Sequence, residues 1–230
     1  MALEVRRAAA RFRTSAEGRS TAHSFSFGTH YDPDNVALGP LVAHNDELLP
    51  PGTGYADHRH TGLEIVTWVV SGALRHRDDL GGEAVVPAGS VQRLDAAAGV
   101  VHSEVAAADV PTRFVQSWLR LDEAESHPGP TYGWAPVEPV PAGWTVLAGD
   151  GGLPLRTAGA ALLLGVPGEV DLAVPTAPLV HLFVLGGEIA VGTEVLGDGD
   201  ALRASGHEPL DVTAVAGGPR LLVWLLPASS

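Results

Sequence analysis

Short runs rich in valine, isoleucine, threonine and tryptophan, each closed by a glycine or proline turn, recur along most of the chain and leave little room for long helices. LEIVTWVVSGALRHRD, residues 63 to 78, reads as two strands broken at Ser71-Gly72. GGEAVVPAGSVQRL reads as strand, Pro-Ala-Gly turn, strand, and TRFVQSWLRL, residues 112 to 121, as one alternating strand. Residues 122 to 144, DEAESHPGPTYGWAPVEPVPAGW, interrupt the rhythm with Pro, Gly and Glu and read as a linker. Strand-like runs then resume, among them ALLLGV, LVHLFVLGGEIAVG and RLLVWLLP. VVSGALRHRDDLGGEAVVPAGSVQRL and FVLGGEIAVGTEVLGDGDALRAS share one strand-turn outline, as a repeated all-β unit would. The expectation is an all-β chain of two stacked antiparallel β-sandwich barrels of jelly-roll type. They should occupy residues 1–130 and 145–230, with 131–144 as the linker.

Within this frame, GTGYADHRHTGLE, residues 52 to 64, places His58 and His60 two apart. On a strand both point to the same face. VVHSEV repeats the spacing with His102 and Glu104. Two such pairs aimed into one barrel give three imidazoles and a carboxylate, a donor set suited to iron, nickel, copper, manganese or zinc. Gly62 would leave space beside the ion. Glu64 follows on the same face if the strand is unbroken.

Composition narrows the function classes. Apolar residues at 45% and charged residues at 18% argue against disorder. A net charge of −13, from 14 basic and 27 acidic residues, repels phosphate backbones and disfavours direct nucleic-acid binding. With no cysteine, thiolate ligands and cysteine nucleophiles are excluded. No apolar run is long enough for a membrane span, and the basic N-terminus lacks an apolar core after it. A cytoplasmic location is expected. HRDDL, residues 76 to 80, is similar to a kinase catalytic loop, but the rest of that signature is missing. It reads as a hairpin turn. Trp68, Trp118 and Trp134 read as core or cavity wall.

The motifs also carry a family resemblance. GTGYADHRHTGLE resembles the first cupin motif, Gly-x5-His-x-His-x3-Glu, and GGEAVVPAG the start of the second. The last histidine of an ordinary cupin lies three residues beyond that final Gly; His102 lies thirteen beyond Gly89. This spacing, the opening HSFSFGTHYDPDN and HRDDLGG all resemble pirin, from about residue 14 to 134. The resemblance implies a bicupin with one divalent metal, Fe(II) foremost, held by His58, His60, His102 and Glu104. Glu64, the carboxylate that general cupins favour as ligand, competes with Glu104; with Glu104 as ligand, Glu64 is expected to support a ligand imidazole or else to face outward from its strand. Some pirins are quercetin 2,3-dioxygenases, which implies a flavonol-like aromatic substrate and O2, with Glu104 as the catalytic proton acceptor. Others are redox-sensitive regulators, so a non-catalytic metal-bearing protein that binds a protein partner is the alternative. The second half has His181 and His207 but no His-x-His, so its barrel is expected to hold no metal.

Three positions depart from the pirin pattern. His58-Arg59-His60 stands for His-Pro-His, Ala96-Ala97-Ala98-Gly99 for Thr-Ala-Gly, and Arg93 for the aromatic after Gln92. These changes spare the ligands and bear on substrate preference.

Overall fold

The computed structural model describes residues 2–16, 18–107, 109–121, 129–138, 141–206 and 209–228. His207 and part of the Pro-rich segment lie outside these residues. Apart from one 3-10 turn at Ala8–Ala10, the regular elements are strands. They are β1 (Ala2–Arg6), β2 (Phe12–Ala16), β3 (Arg19–His23), β4 (Leu41–Leu49), β5 (Gly54–His60), β6 (Leu63–Ser71), β7 (Ala73–Asp78), β8 (Glu83–Pro87), β9 (Ser90–Asp95), β10 (Val100–Ala106), β11 (Thr112–Arg120) and β12 (Thr131–Pro136). The second half adds β13 (Gly143–Ala148), β14 (Ala161–Val166), β15 (Leu172–Val174), β16 (Leu179–Val191), β17 (Glu194–Leu196), β18 (Ala201–Ser205) and β19 (Leu210–Leu226). All ladder pairings between these strands are antiparallel. The all-β class expected from the turn rhythm is the one observed.

The chain forms two compact units, Phe12–Glu138 and Met1–Arg11 with Pro139–Ser230. Both limits differ from those read off the sequence. β1 pairs with β18 of the C-terminal unit, Ala2 opposite Ser205 and Arg6 opposite Ala201. Arg7 anchors this arm with hydrogen bonds to the Val195 carbonyl and to Glu194 and Asp200. A five-residue strand whose partner lies two hundred residues away leaves no local signal. Residues 131–136, expected within the linker, are β12, which pairs with β9 from Thr131–Asp95 to Pro136–Ser90.

In the N-terminal unit, a seven-stranded sheet runs β12-β9-β6-β11-β4-β3-β2 and a four-stranded sheet runs β5-β10-β7-β8. Leu49, Val69, Leu74, Val86, Ala106 and Phe114 form one core cluster. Ile65, Leu94, Ala96 and Val100 form another, flanked by Trp118 and Tyr132. In the C-terminal unit, one sheet carries all eight strands, and its cluster is wholly apolar, from Leu163 to Val223.

Candidate metal centre

β5 and β10 run antiparallel with His102 opposite His58. The predicted parity holds on both strands. His60, His102 and Glu104 are buried, while Arg59 between the first two histidines is exposed. A bulge between His102 and Glu104 sets Glu104 opposite Tyr55 on one side, with His76 of β7 on the other. Bulges re-aim side chains in this way beside functional sites.

The three histidines His58, His60 and His102 place one donor atom each within 4.8 Å of one another. Their ring centroids are 4.5 Å apart for His58–His102 and 4.8 Å for His58–His60. Glu104 does not join this group at that limit; it forms a second group with His102 and His76. His102 belongs to both. His76 is absent from the expected ligands; it falls where the strand read over residues 73 to 78 overlaps the turn read at HRDDL. It lies on β7, and the turn follows at Asp79–Leu80.

Burial, followed by the neighbouring imidazoles, pushes the pKa of His60 down to about 4 and of His102 down to about 3. Both rings are therefore neutral near pH 7, the form a metal requires. His58 Nδ1 donates to the Ala56 carbonyl at 2.8 Å, which leaves its Nε2 with a lone pair. Neither ring nitrogen of His102 has a hydrogen-bond partner among the described residues, although both are buried. An orphaned buried imidazole beside two others is costly unless something binds it. This donor set fits a divalent transition metal.

Glu104 is held by two side-chain amides. Gln92 Nε2 donates to Oε1 at 2.6 Å and Gln116 Nε2 to Oε2 at 2.8 Å. Trp118 packs edge-on to His60 with centroids 4.9 Å apart. Tyr132 stacks on His76 at 3.9 Å. Beyond them, the buried Glu47 accepts from Thr21 Oγ1 at 2.6 Å and from the Tyr55 hydroxyl at 2.8 Å. Burial is the main cause that lifts Glu47 to about pKa 7, with the nearby charge of Glu104 adding to it.

Glu64 is placed differently from the sequence expectation. The strand breaks at Thr61-Gly62, where Gly62 adopts φ +64°. Glu64 then belongs to β6, in the other sheet. By alternation it faces away from Thr67 on the same strand and from Gln92, which pairs with Thr67 across to β9. Arg93 Nε donates to its carboxylate at 2.7 Å. Arg93 also reaches Asp95 at 3.3 Å and Thr131 at 2.8 Å. The departure from the pirin aromatic thus serves a buried ion cluster on the opposite face of β9 from Gln92. The other two departures meet each other: Arg59 donates to the Ala98 carbonyl at 2.9 Å and packs over Gly99.

The family model described as Pirin matches residues 4–119. A Mycobacterium tuberculosis protein named "Putative quercetin 2,3-dioxygenase Rv0181c" is 37% identical over 235 residues, 98% of this chain and 96% of the relative. The chain belongs to the pirin family. Another similar pirin relative, an Escherichia coli K12 protein named Quercetin 2,3-dioxygenase, is 39% identical over 82 residues, 36% of either chain. The pirin fold itself is matched by the crystal structure of YhhW from Escherichia coli, with a TM-score of 0.91, 24% identity and full coverage of both chains. A second crystal structure, of bacterial pirin YhhW in complex with nickel(II), matches with a TM-score of 0.89 and 24% identity over 99% of this chain and 100% of that one.

Among the described residues, no group of three or more metal-capable side chains lies in the C-terminal unit. His181 of β16 sits between Val180 and Leu182, both members of the apolar cluster, so its side chain leaves the strand on the opposite face. No helix among the described residues is long and apolar enough to cross a membrane.

Proposed function

We propose that the N-terminal unit is the site of a metal-dependent dioxygenase that opens the ring of flavonols such as quercetin with O2. The observation that carries this reading is the convergence of three imidazoles, His60 and His102 buried and held neutral and His58 half-buried, beside the buried carboxylate of Glu104. His58, His60, His102 and Glu104 are the proposed ligands of one divalent transition metal, with Fe(II) preferred. The nickel complex of YhhW supports a divalent ion in a protein of this fold. The relatives named quercetin 2,3-dioxygenase support the substrate class.

When bound, the ion supplies Lewis acidity and open coordination positions for substrate. The protein's own groups do the rest. Trp118 and Tyr132 offer flat apolar walls to an aromatic ring. Glu104, whose two oxygens each accept one amide N–H, keeps lone pairs with which to take the proton of an acidic flavonol hydroxyl. Both atoms of O2 enter the product, so no external reductant is required. Glu64 is assigned to the Arg93 pair.

The test is aerobic quercetin consumption by Fe(II)-loaded protein, followed by absorbance and O2 uptake. Wild type is expected to turn over. Glu104→Gln, which keeps size and removes charge and basicity, is expected to lose turnover at matched metal content. Fully loaded wild type that consumes neither flavonol nor O2 overturns the catalytic reading. A non-catalytic role in binding a protein partner would then lead.

A further inference from the structure

The two amides that hold Glu104 are themselves held, and the polarity of the Gln116 arm is fixed at its outer end. Trp118 Nε1–H donates to Gln116 Oε1 at 2.9 Å. An indole nitrogen can only donate, so the atom it meets on Gln116 has to be the carbonyl oxygen. The NH2 group therefore turns the other way, onto Glu104 Oε2 at 2.8 Å and Thr67 Oγ1 at 3.1 Å. The second arm is built alike. The Tyr132 hydroxyl donates to Gln92 Oε1 at 3.0 Å, and Gln92 Nε2 faces Glu104 Oε1 at 2.6 Å. Burial first, and then the charges of Glu104 and Asp78, raise the Tyr132 pKa, so its hydroxyl keeps its proton. The phenol ring lies flat on His76, at 3.9 Å and 3°. His76 Nε2 donates to Asp78 Oδ2 at 3.0 Å, and Asp78 Oδ1 accepts from the backbone N–H groups of Leu80 and Gly82.

We propose that Trp118 and Tyr132 are positioning residues for Glu104, their donors locking the Gln116 and Gln92 amides with both NH2 groups turned onto the carboxylate. Were either amide to flip, its carbonyl oxygen would face a carboxylate oxygen, and on the Gln116 arm the Trp118 N–H would also face an NH2 group. The lock fixes the orientation of the Glu104 carboxylate before any ion arrives. It commits one lone pair on each oxygen to protein and leaves the others for ligand. The inference rests on the reading of Glu104 as a metal ligand. It makes a Trp and a Tyr, neither of which has a metal-binding side chain here, determinants of metal affinity.

The test is a double-mutant cycle on the affinity of metal-free protein for Ni(II), read by competition with a chromophoric chelator. Trp118→Phe keeps a ring and removes the donor; Gln116→Met removes the amide. Each is expected to weaken Ni(II) binding about 10-fold, as loss of an outer partner of a metal ligand does. The double variant is expected to be no weaker than Gln116→Met, because Trp118 acts through that amide. Tyr132→Phe paired with Gln92→Met supplies an independent cycle should Trp118→Phe not fold. In metal-free wild type, the Gln116 side-chain amide protons should exchange slowly by NMR, and quickly in Trp118→Phe. Additive losses, or unchanged affinity in Trp118→Phe and Tyr132→Phe, overturn the inference and leave the metal site standing. Wild type that takes up no Ni(II) overturns the ligand assignment, and this inference with it.

Discussion

The two units follow the same grammar of short strands and glycine turns, but the N-terminal one sets a buried polar cluster beside its apolar core. In the N-terminal unit, β6, β9, β10 and β11 turn Thr67, Gln92, Glu104 and Gln116 toward one another. In the C-terminal unit, the corresponding work of filling the interior falls to Val180, Leu182, Val184, Leu202, Leu221 and Val223. Apolar filling needs no partner geometry, and it is the default solution for a sandwich. A polar interior survives only where each buried group finds a partner. The amide pair around Glu104 meets that condition, while the buried ring nitrogens of His102 have no hydrogen-bond partner among the described residues. The difference is between an interior that holds a partnered polar cluster beside its apolar core and one filled by an apolar cluster.

The largest expected effect comes from breaking the polar interior at His102, the histidine common to both groups. His102→Ala should weaken Ni(II) binding at least about 100-fold, since outer partners of a ligand alone are worth 10 to 100-fold. The thermal midpoint of the metal-free protein should change little, because the ring makes no hydrogen bond among the described residues. Calorimetry with and without metal checks both.

The converse change belongs to the other unit. Leu182 is fully buried, and Leu182→Ala should cost about 2–5 kcal/mol of stability while the metal content per chain stays the same. Urea denaturation with elemental analysis reads this. Loss of metal in this variant would break the division of labour.

A smaller effect is expected from pH in the metal-free protein. His60 and His102 titrate near 4 and 3 when folded, against an ordinary 6.5. The unfolded chain therefore takes up protons that the folded one refuses, and stability falls as pH drops from 6.5 toward 4. Glu47 has the opposite sign. Held up to about 7 against an ordinary 4.5, it contributes stability present below 4.5 and lost as pH rises through 7. Glu47→Gln should therefore gain on wild type by up to about 3 kcal/mol between pH 4.5 and pH 8. A gap that does not change with pH would contradict this.

The smallest effect is expected at the rim. Asp57 and Arg77 form an exposed pair at 2.9 Å, and the Arg77 guanidinium holds the Asp57 carboxyl below its ordinary range. Exposed pairs contribute little. Asp57→Asn should leave the thermal midpoint and Ni(II) affinity within error.

The spacing of His58 with His60, and of His102 with Glu104, was legible in the sequence because period two fixes which residues share a strand face. The register that set His102 opposite His58 was not legible, since it depends on pairing across forty residues and on a bulge. Glu64 was misplaced for a local reason: a turn at Gly62 reset the parity of the next strand. His76, Gln92, Gln116 and Tyr132 carried no ligand-like spacing, and only the fold brings them to Glu104. The strand rhythm gave away the all-β class. The exchange of β1 into the C-terminal unit had no local signature at all.

One ion is proposed to bind this chain, in the N-terminal unit. Anomalous diffraction from crystals of Ni(II)-loaded protein tests it most directly. One anomalous peak per chain is expected, within about 2.1 Å of nitrogens of His58, His60 and His102 and in contact with Glu104. A peak within the C-terminal unit, a second peak of equal height, or a single peak bound by Glu64 in place of Glu104 would contradict it.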